Sequence, residues 1–118
     1  MRSLEPRSRD QPLAWLRLPT LYATAAASKL PAVYAIGVWR RAFGLPHHVE
    51  WVYVGVTGNL QRRLGEHHPA RETNPGLQAW LLGELDAELW YAHLDRRAAR
   101  RVEAHLIQQL RPKFNRAP

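Results

Sequence analysis

Glu50–His67 reads EWVYVGVTGNLQRRLGEH and changes its apolar period midway, and the fold follows from where that change falls. Val52, Val54 and Val56 alternate with Trp51, Tyr53 and Gly55, the two-residue repeat of a strand. Thr57-Gly58-Asn59 breaks the repeat and supplies a turn and an N-cap. Leu60, Arg63, Leu64 and His67 then recur at i, i+3, i+4 and i+7, which is one stripe of a helix. A stripe of leucines alone would be a core face. This one admits a guanidinium and an imidazole, which points to a role for both beyond packing.

On the N-terminal side, Ala32–Val38 (AVYAIGV) has strand composition with Tyr34 in its middle. Residues 39–49 carry Arg40, Arg41, Gly44, Pro46 and His47-His48, and the simplest topology is a hairpin with an unusually long loop. Trp39 and Phe43 among basic side chains would suit a nucleic-acid contact; a surface loop with a small apolar anchor is the alternative. Earlier still, Leu13-Ala14-Trp15-Leu16 is a short apolar patch. Residues 20–30 (TLYATAAASKL) have helical composition, with Thr20 as cap, Pro31 as stop, and Trp15 and Tyr22 as packing anchors. Residues 1–12 are polar and charged and read as a mobile arm, whose Arg2, Arg7 and Arg9 could touch phosphates.

On the C-terminal side, a polar stretch, 68–74, precedes a helical run from Pro75 to about Leu85, with Leu77, Trp80, Leu81 and Leu85 toward the core. Residues 87–94 (AELWYAHL) read as a third strand. Asp95 caps a last helix to about Leu110, which Pro112 stops. On that helix Ala99, Val102, Leu106, Ile107 and Leu110 mark the buried face, and Glu103 falls on or beside it. Carboxylates are rarely buried unless paired or bound to a metal. Glu103 is therefore either a partner of Arg100 or Arg63, or a ligand for a divalent cation in a cleft.

The bulk properties narrow the function classes. A length of 118 residues suits one domain with one modest core, and 46% hydrophobic content supports a packed body. With no cysteine, disulfides and thiolate metal sites are excluded. The net charge is +7, and all but two of the 17 basic residues are arginine, suited to bidentate phosphate contacts. Such a balance suggests nucleic acid, an anionic membrane surface, or simply a solvated arginine-rich exterior. No stretch approaches the length of an apolar membrane span, and the N-terminus lacks a signal-peptide core. The histidines have no convincing zinc spacing.

Taken together, these residues resemble the GIY-YIG endonuclease domain. Tyr53-Val54-Gly55 is close to the second element of that name, whereas Ala32-Val33-Tyr34 keeps only the tyrosine of the first. The run Thr57-x-Asn59-Leu60-x-x-Arg63-Leu64-x-x-His67 fits the helix that follows in the family. Val102-Glu103-Ala104-x-Leu106-Ile107 resembles the helix carrying its metal-binding glutamate, and Pro112-x-Phe114-Asn115 its closing motif. The resemblance spans about Pro31 to Asn115. The interval from Tyr34 to Tyr53 is longer than the family's usual one, and the excess is the 39–49 segment.

The resemblance implies an α+β fold, a small three-stranded antiparallel sheet flanked by helices. Residues 1–30 would form an N-terminal arm and short helical extension, and residues 31–118 the nuclease-like domain. It implies a metal-dependent endonuclease or nickase hydrolysing DNA phosphodiesters with one Mg²⁺ (or Mn²⁺). Glu103 would hold the metal and Arg63 would stabilise charge on the phosphate. Tyr53 or Tyr34 would act as base or orient the water, with His67 assisting. Asn115 would brace the site, or be a local turn-capping residue. Arg40, Arg41, Arg62, Arg63 and Lys113 are the expected nucleic-acid contacts. The expected setting is cytoplasmic, and nucleoid-associated when bound to DNA, with no membrane and no small-molecule cofactor; the oligomeric state is left open. The alternative is a catalytically inactive or partner-dependent nucleic-acid-binding module on the same fold.

Overall fold

The computed structural model describes residues 12–18, 20, 27–68, 70–84 and 86–115. The elements run β1 (Leu16–Leu18), β2 (Ala32–Ala42), β3 (Leu45–Thr57), α1 (Leu60–Glu66), α2 (Pro75–Gly83), β4 (Glu88–His93) and α3 (Arg96–Leu110). The four strands make one sheet in the order β1-β4-β2-β3, every pair antiparallel. The sheet is therefore four-stranded, not three-stranded. The added strand comes from the apolar patch near Trp15: Leu16, Arg17 and Leu18 pair with Tyr91, Trp90 and Leu89. Three residues are too short to show a period, so the sequence alone gives no strand signal there. Most of the helix expected over residues 20–30, with Tyr22, lies outside the described residues, as do Arg2, Arg7, Arg9 and Leu85. Residues 27–30 form bends.

The expected long loop is also corrected. β2 and β3 continue pairing to Ala42 and Leu45, and only Phe43 and Gly44 turn the chain. Both have positive φ (52° and 86°), the primed-turn geometry that matches the twist of a two-residue hairpin. Glycine adopts this freely; phenylalanine does so at a cost, which hid the turn from a composition reading. Polar residues such as Arg40, Arg41, His47 and His48 then lie on strand extensions rather than on a loop.

Alternation along the strands divides the core in two. Ala32, Tyr34 and Ile36 of β2 join Leu89 and Tyr91 of β4 on one face, covered by Leu60 and Leu64 of α1 and Leu77 and Leu81 of α2. Val33 and Ala35 join Val54 and Ala92 on the other face, covered by Ala99 and the apolar stripe of α3 with Leu13 and Trp15. The register of β3 against β2 shifts twice, once near the turn, where His47 is extra between Arg40 and Arg41, and once in the core. Ile36 pairs with Tyr53 but Gly37 with Trp51, so Val52 is an extra residue that bulges and shares the α1 face with Tyr53.

Strand β3 is an edge of the sheet, and the C-terminal segment closes it. Lys113 and Phe114 donate backbone N–H groups to the carbonyls of Trp51 and Val52 (3.3 and 2.8 Å). The Asn115 side chain then continues the pattern, accepting from Val54 N–H and donating to Val54 C=O, both at 2.8 Å. An exposed edge would otherwise offer these groups to another chain.

Candidate active site

Two strands and one helix bring four of the six expected catalytic side chains to the α1 face of the sheet. Asn59 starts α1 by accepting from Arg62 N–H (3.0 Å), and Thr57 fixes the preceding turn through Asn59. The helix is thereby aimed so that Leu60 and Leu64 enter the core while Arg63 and His67 lie over Tyr34 and Tyr53. The tyrosine rings are 6.2 Å apart, and His67 sits edge-on to both, at 5.5 Å from Tyr34 and 5.3 Å from Tyr53.

Tyr34 is fully buried and pairs directly across the sheet with Gly55. A Cβ at position 55 would come within 2.5 Å of the Tyr34 hydroxyl, so the missing side chain makes the space in which the phenol lies. That hydroxyl is 2.7 Å from His67 Nε2, and His67 Nδ1 is 2.5 Å from Glu72 Oε2. A carboxylate only accepts, which makes Nδ1 the protonated nitrogen of a neutral ring and leaves Nε2 to accept from the Tyr34 O–H. Burial, followed by the nearby Arg63 charge, holds His67 below the usual histidine range, although Glu72 pulls the other way. Burial pushes the Tyr34 phenol far above its ordinary value despite Arg63 beside it. Both rings of the Tyr34–His67 pair therefore stay neutral near pH 7.

Glu72 is the residue that sequence reasoning missed. It follows the end of α1 in a stretch with no helical period. Arg71 and Glu72 donate their N–H groups to His68 C=O (2.8 and 3.0 Å), a turn that folds Glu72 back beneath His67. Its second oxygen accepts from Asn74 N–H at 3.0 Å. Asn74 in turn caps α2 and donates to Phe114 C=O, tying the network to the C-terminal segment. The only available signal was a carboxylate five residues after a histidine.

Arg63 is half-buried. Burial works against its charge, but the phenol oxygens of Tyr34 and Tyr53 beside it outweigh that and hold it firmly protonated. One guanidinium nitrogen also meets Glu66 at 3.2 Å on the solvent side, a weak i,i+3 pair. Tyr53, unlike the fully buried Tyr34, is only partly buried.

The other expected residues lie elsewhere. Glu103 is half-buried on α3, the helix that packs on the opposite face, and makes no hydrogen bond or ion pair among the described residues. Burial raises its carboxyl above the ordinary value, with Arg100 pulling it back. Asn115 holds the edge of β3, its side chain bonded to both backbone groups of Val54. Arg40, on the β2 extension, bonds Glu50 at 2.7 Å and Glu84 at 3.0 Å through its guanidinium. Arg41, Arg62 and Lys113 are exposed.

A family model described as the GIY-YIG catalytic domain matches residues 47–116. Solved structures with the same architecture include a tyrosine-to-phenylalanine mutant of the GIY-YIG N-terminal endonuclease domain of UvrC from Thermotoga maritima, bound to the catalytic divalent cation. It is 23% identical, covers 80% of this chain and 92% of its own, and has a TM-score of 0.56. The same domain bound to magnesium is 25% identical over 79% of this chain and 91% of its own, with a TM-score of 0.55. No curated protein sequence gives a match.

Proposed function

Given that the chain belongs to the GIY-YIG catalytic-domain family, a nuclease fold, we propose that it is a divalent-metal-dependent endonuclease acting on DNA. The observation that carries this reading is the position of Arg63, protonated and half-buried beside the phenol oxygens of Tyr34 and Tyr53. A cation fixed next to two phenols suits an anionic phosphodiester whose nonbridging oxygens gain charge on attack.

The roles divide by burial. Arg63 binds and steadies the phosphate. Tyr53, the less enclosed of the two tyrosines, orients the attacking water or takes its proton. Tyr34 is held neutral and enclosed, so it acts by fixing Arg63 and the His67 ring rather than as the base. His67 and Glu72 keep that phenol in place through a relay of two hydrogen bonds.

The residues also suit a hard cation. No group of three or more histidine or acidic side chains converges among the described residues, which argues against an all-protein cage. Glu103, a half-buried carboxylate with no hydrogen-bonded partner there, suits an ion that keeps most of its ligands as water and substrate, as Mg²⁺ or Mn²⁺ does. Held by Glu103, such an ion would supply Lewis-acid stabilisation to a phosphodiester that reaches from Arg63 to α3. The bound relatives support this reading by fold, since they are described with a catalytic divalent cation.

The test is incubation of the pure protein with plasmid, single-stranded and branched DNA in Mg²⁺ or Mn²⁺. Cleavage is expected; Glu103→Ala is expected to abolish it and Arg63→Ala to lower it about 10²–10³-fold, while circular dichroism stays that of the parent. Cleavage that survives both substitutions overturns the reading. Salt-sensitive binding without turnover under either metal would favour a binding module that has lost catalysis, which the altered first motif, Ala32-Val33, would then explain.

A further inference from the structure

Arg96, Arg97, Arg100 and Arg101 line one open groove at the start of α3, and all four are exposed. None of them has an ion pair or hydrogen bond to a carboxylate among the described residues; Arg100 is an electrostatic neighbour of Glu103 without pairing to it. The arrangement is unfavourable within the protein alone. Arg96 and Arg100, and Arg97 and Arg101, are like-charge i,i+4 pairs, which repel on a helix. Asp95 already caps the positive end of α3 by accepting from Ala98 N–H, so the uncompensated term is the repulsion among the four guanidinium groups. An external anion relieves it.

The spacing favours a strand of phosphates over a single ion. Four residues along the helix advance about 6 Å at ~1.5 Å each. That exceeds the ~3.4 Å axial rise per nucleotide of one strand, as a contact to neighbouring phosphates on a winding backbone requires. The ridge also abuts the candidate site. A Cβ on Gly58 would lie 4.0 Å from Arg96 Cδ, so the Arg96 stem passes near the turn that launches α1 with Arg63 and His67.

We propose that this ridge is a docking rail for successive backbone phosphates of a DNA strand, supplying binding and orientation. The proposal rests on the nucleic-acid substrate argued above and adds a contact surface outside Arg41, Arg62, Arg63 and Lys113. It needs no metal and no turnover.

The test measures binding of the full chain to a short fluorescein-labelled DNA duplex in EDTA, by anisotropy, across a salt series from ~50 to ~200 mM. Two double variants remove the same charge: Arg97→Gln with Arg101→Gln on the ridge, and Arg71→Gln with Arg111→Gln, exposed positions outside it. The ridge pair is expected to weaken binding by about tenfold and to lower the slope of log affinity against log salt by about 2, near 0.9 per lost phosphate contact. The control pair is expected to change affinity by less than about twofold. Wild-type affinity and slope in the ridge pair, or equal losses in both pairs, overturn the rail, as does a parent protein that binds no duplex at low salt. A parent that binds through the ridge but cuts nothing defeats the nuclease reading and leaves the rail standing. Cutting that persists with an ineffective ridge does the reverse.

Discussion

The two faces of the sheet treat acidic side chains in opposite ways. On the α1 face Glu72 is buried and its oxygens are satisfied, by His67 and by the backbone of Asn74. On the α3 face Glu103 is half-buried, desolvated and without a hydrogen bond among the described residues. A satisfied buried network rigidifies what it touches, and a desolvated carboxylate without a partner retains its capacity to bind. The difference separates support from chemistry: Glu72 holds the tyrosine-histidine pair still, and Glu103 is the group left able to take a ligand.

The largest effect that sharpens this contrast should come from Glu103→Ala. Cleavage should fall to background, with a melting temperature near the parent's, because no protein hydrogen bond is lost. The same variant should lose any stabilisation of the parent by added Mg²⁺, read by thermal melting. Arg63→Ala should lower the cleavage rate about 10²–10³-fold, the usual consequence of removing one preorganised donor to a developing anion. An equal loss of stability in the Glu103 variant would break the comparison.

Glu72→Ala should behave oppositely. It leaves His67 Nδ1–H buried without an acceptor and should cost about 1–3 kcal/mol in denaturant unfolding. Gly55→Ala should cost about 1–3 kcal/mol, because the new methyl group collides with the enclosed Tyr34 hydroxyl. A Gly55 variant of parental stability would show that the phenol can move aside, and the enclosed role given to Tyr34 would fail.

The smallest effect is one of pH. The folded-state pKa of His67 lies below its unfolded value, so the unfolded chain takes up the proton first. The contribution of the neutral ring is therefore present above the ordinary histidine pKa of about 6.5 and is lost as pH falls through and below it. Urea unfolding at pH 7.5 and pH 5.5 should show this loss in the parent, and His67→Gln should reduce it. Unchanged pH dependence in that variant would assign the loss to other groups.

Legibility in the sequence followed the range of the interaction. β4, α2 and α3 lay close to where local pattern put them, and so did the Asp95 cap, which bonds to an N–H group only three residues away. The hairpin was misread because Phe43 occupies a turn position where composition favours asparagine or glycine. β1 was missed because three residues carry too little pattern, and their strand state is set by pairing with β4, more than seventy residues later. Glu72 was missed because its meaning depends on a turn that folds it under His67.

What the sequence determined by itself is the family motif and the chemistry available: Tyr34 and Tyr53 on adjacent strands, Arg63 and His67 on one helical stripe, and a misplaced acid at Glu103. These depend on periods and caps that act within a few residues. Only the tertiary structure decided how the groups differ. Burial under α1 keeps Tyr34 and His67 neutral, while Tyr53 stays partly exposed. Long-range pairing also commits Arg40 to two carboxylates and Asn115 to the edge of β3. Burial and hydrogen bonding across dozens of residues set charge state and access, and no local pattern in the chain encodes either.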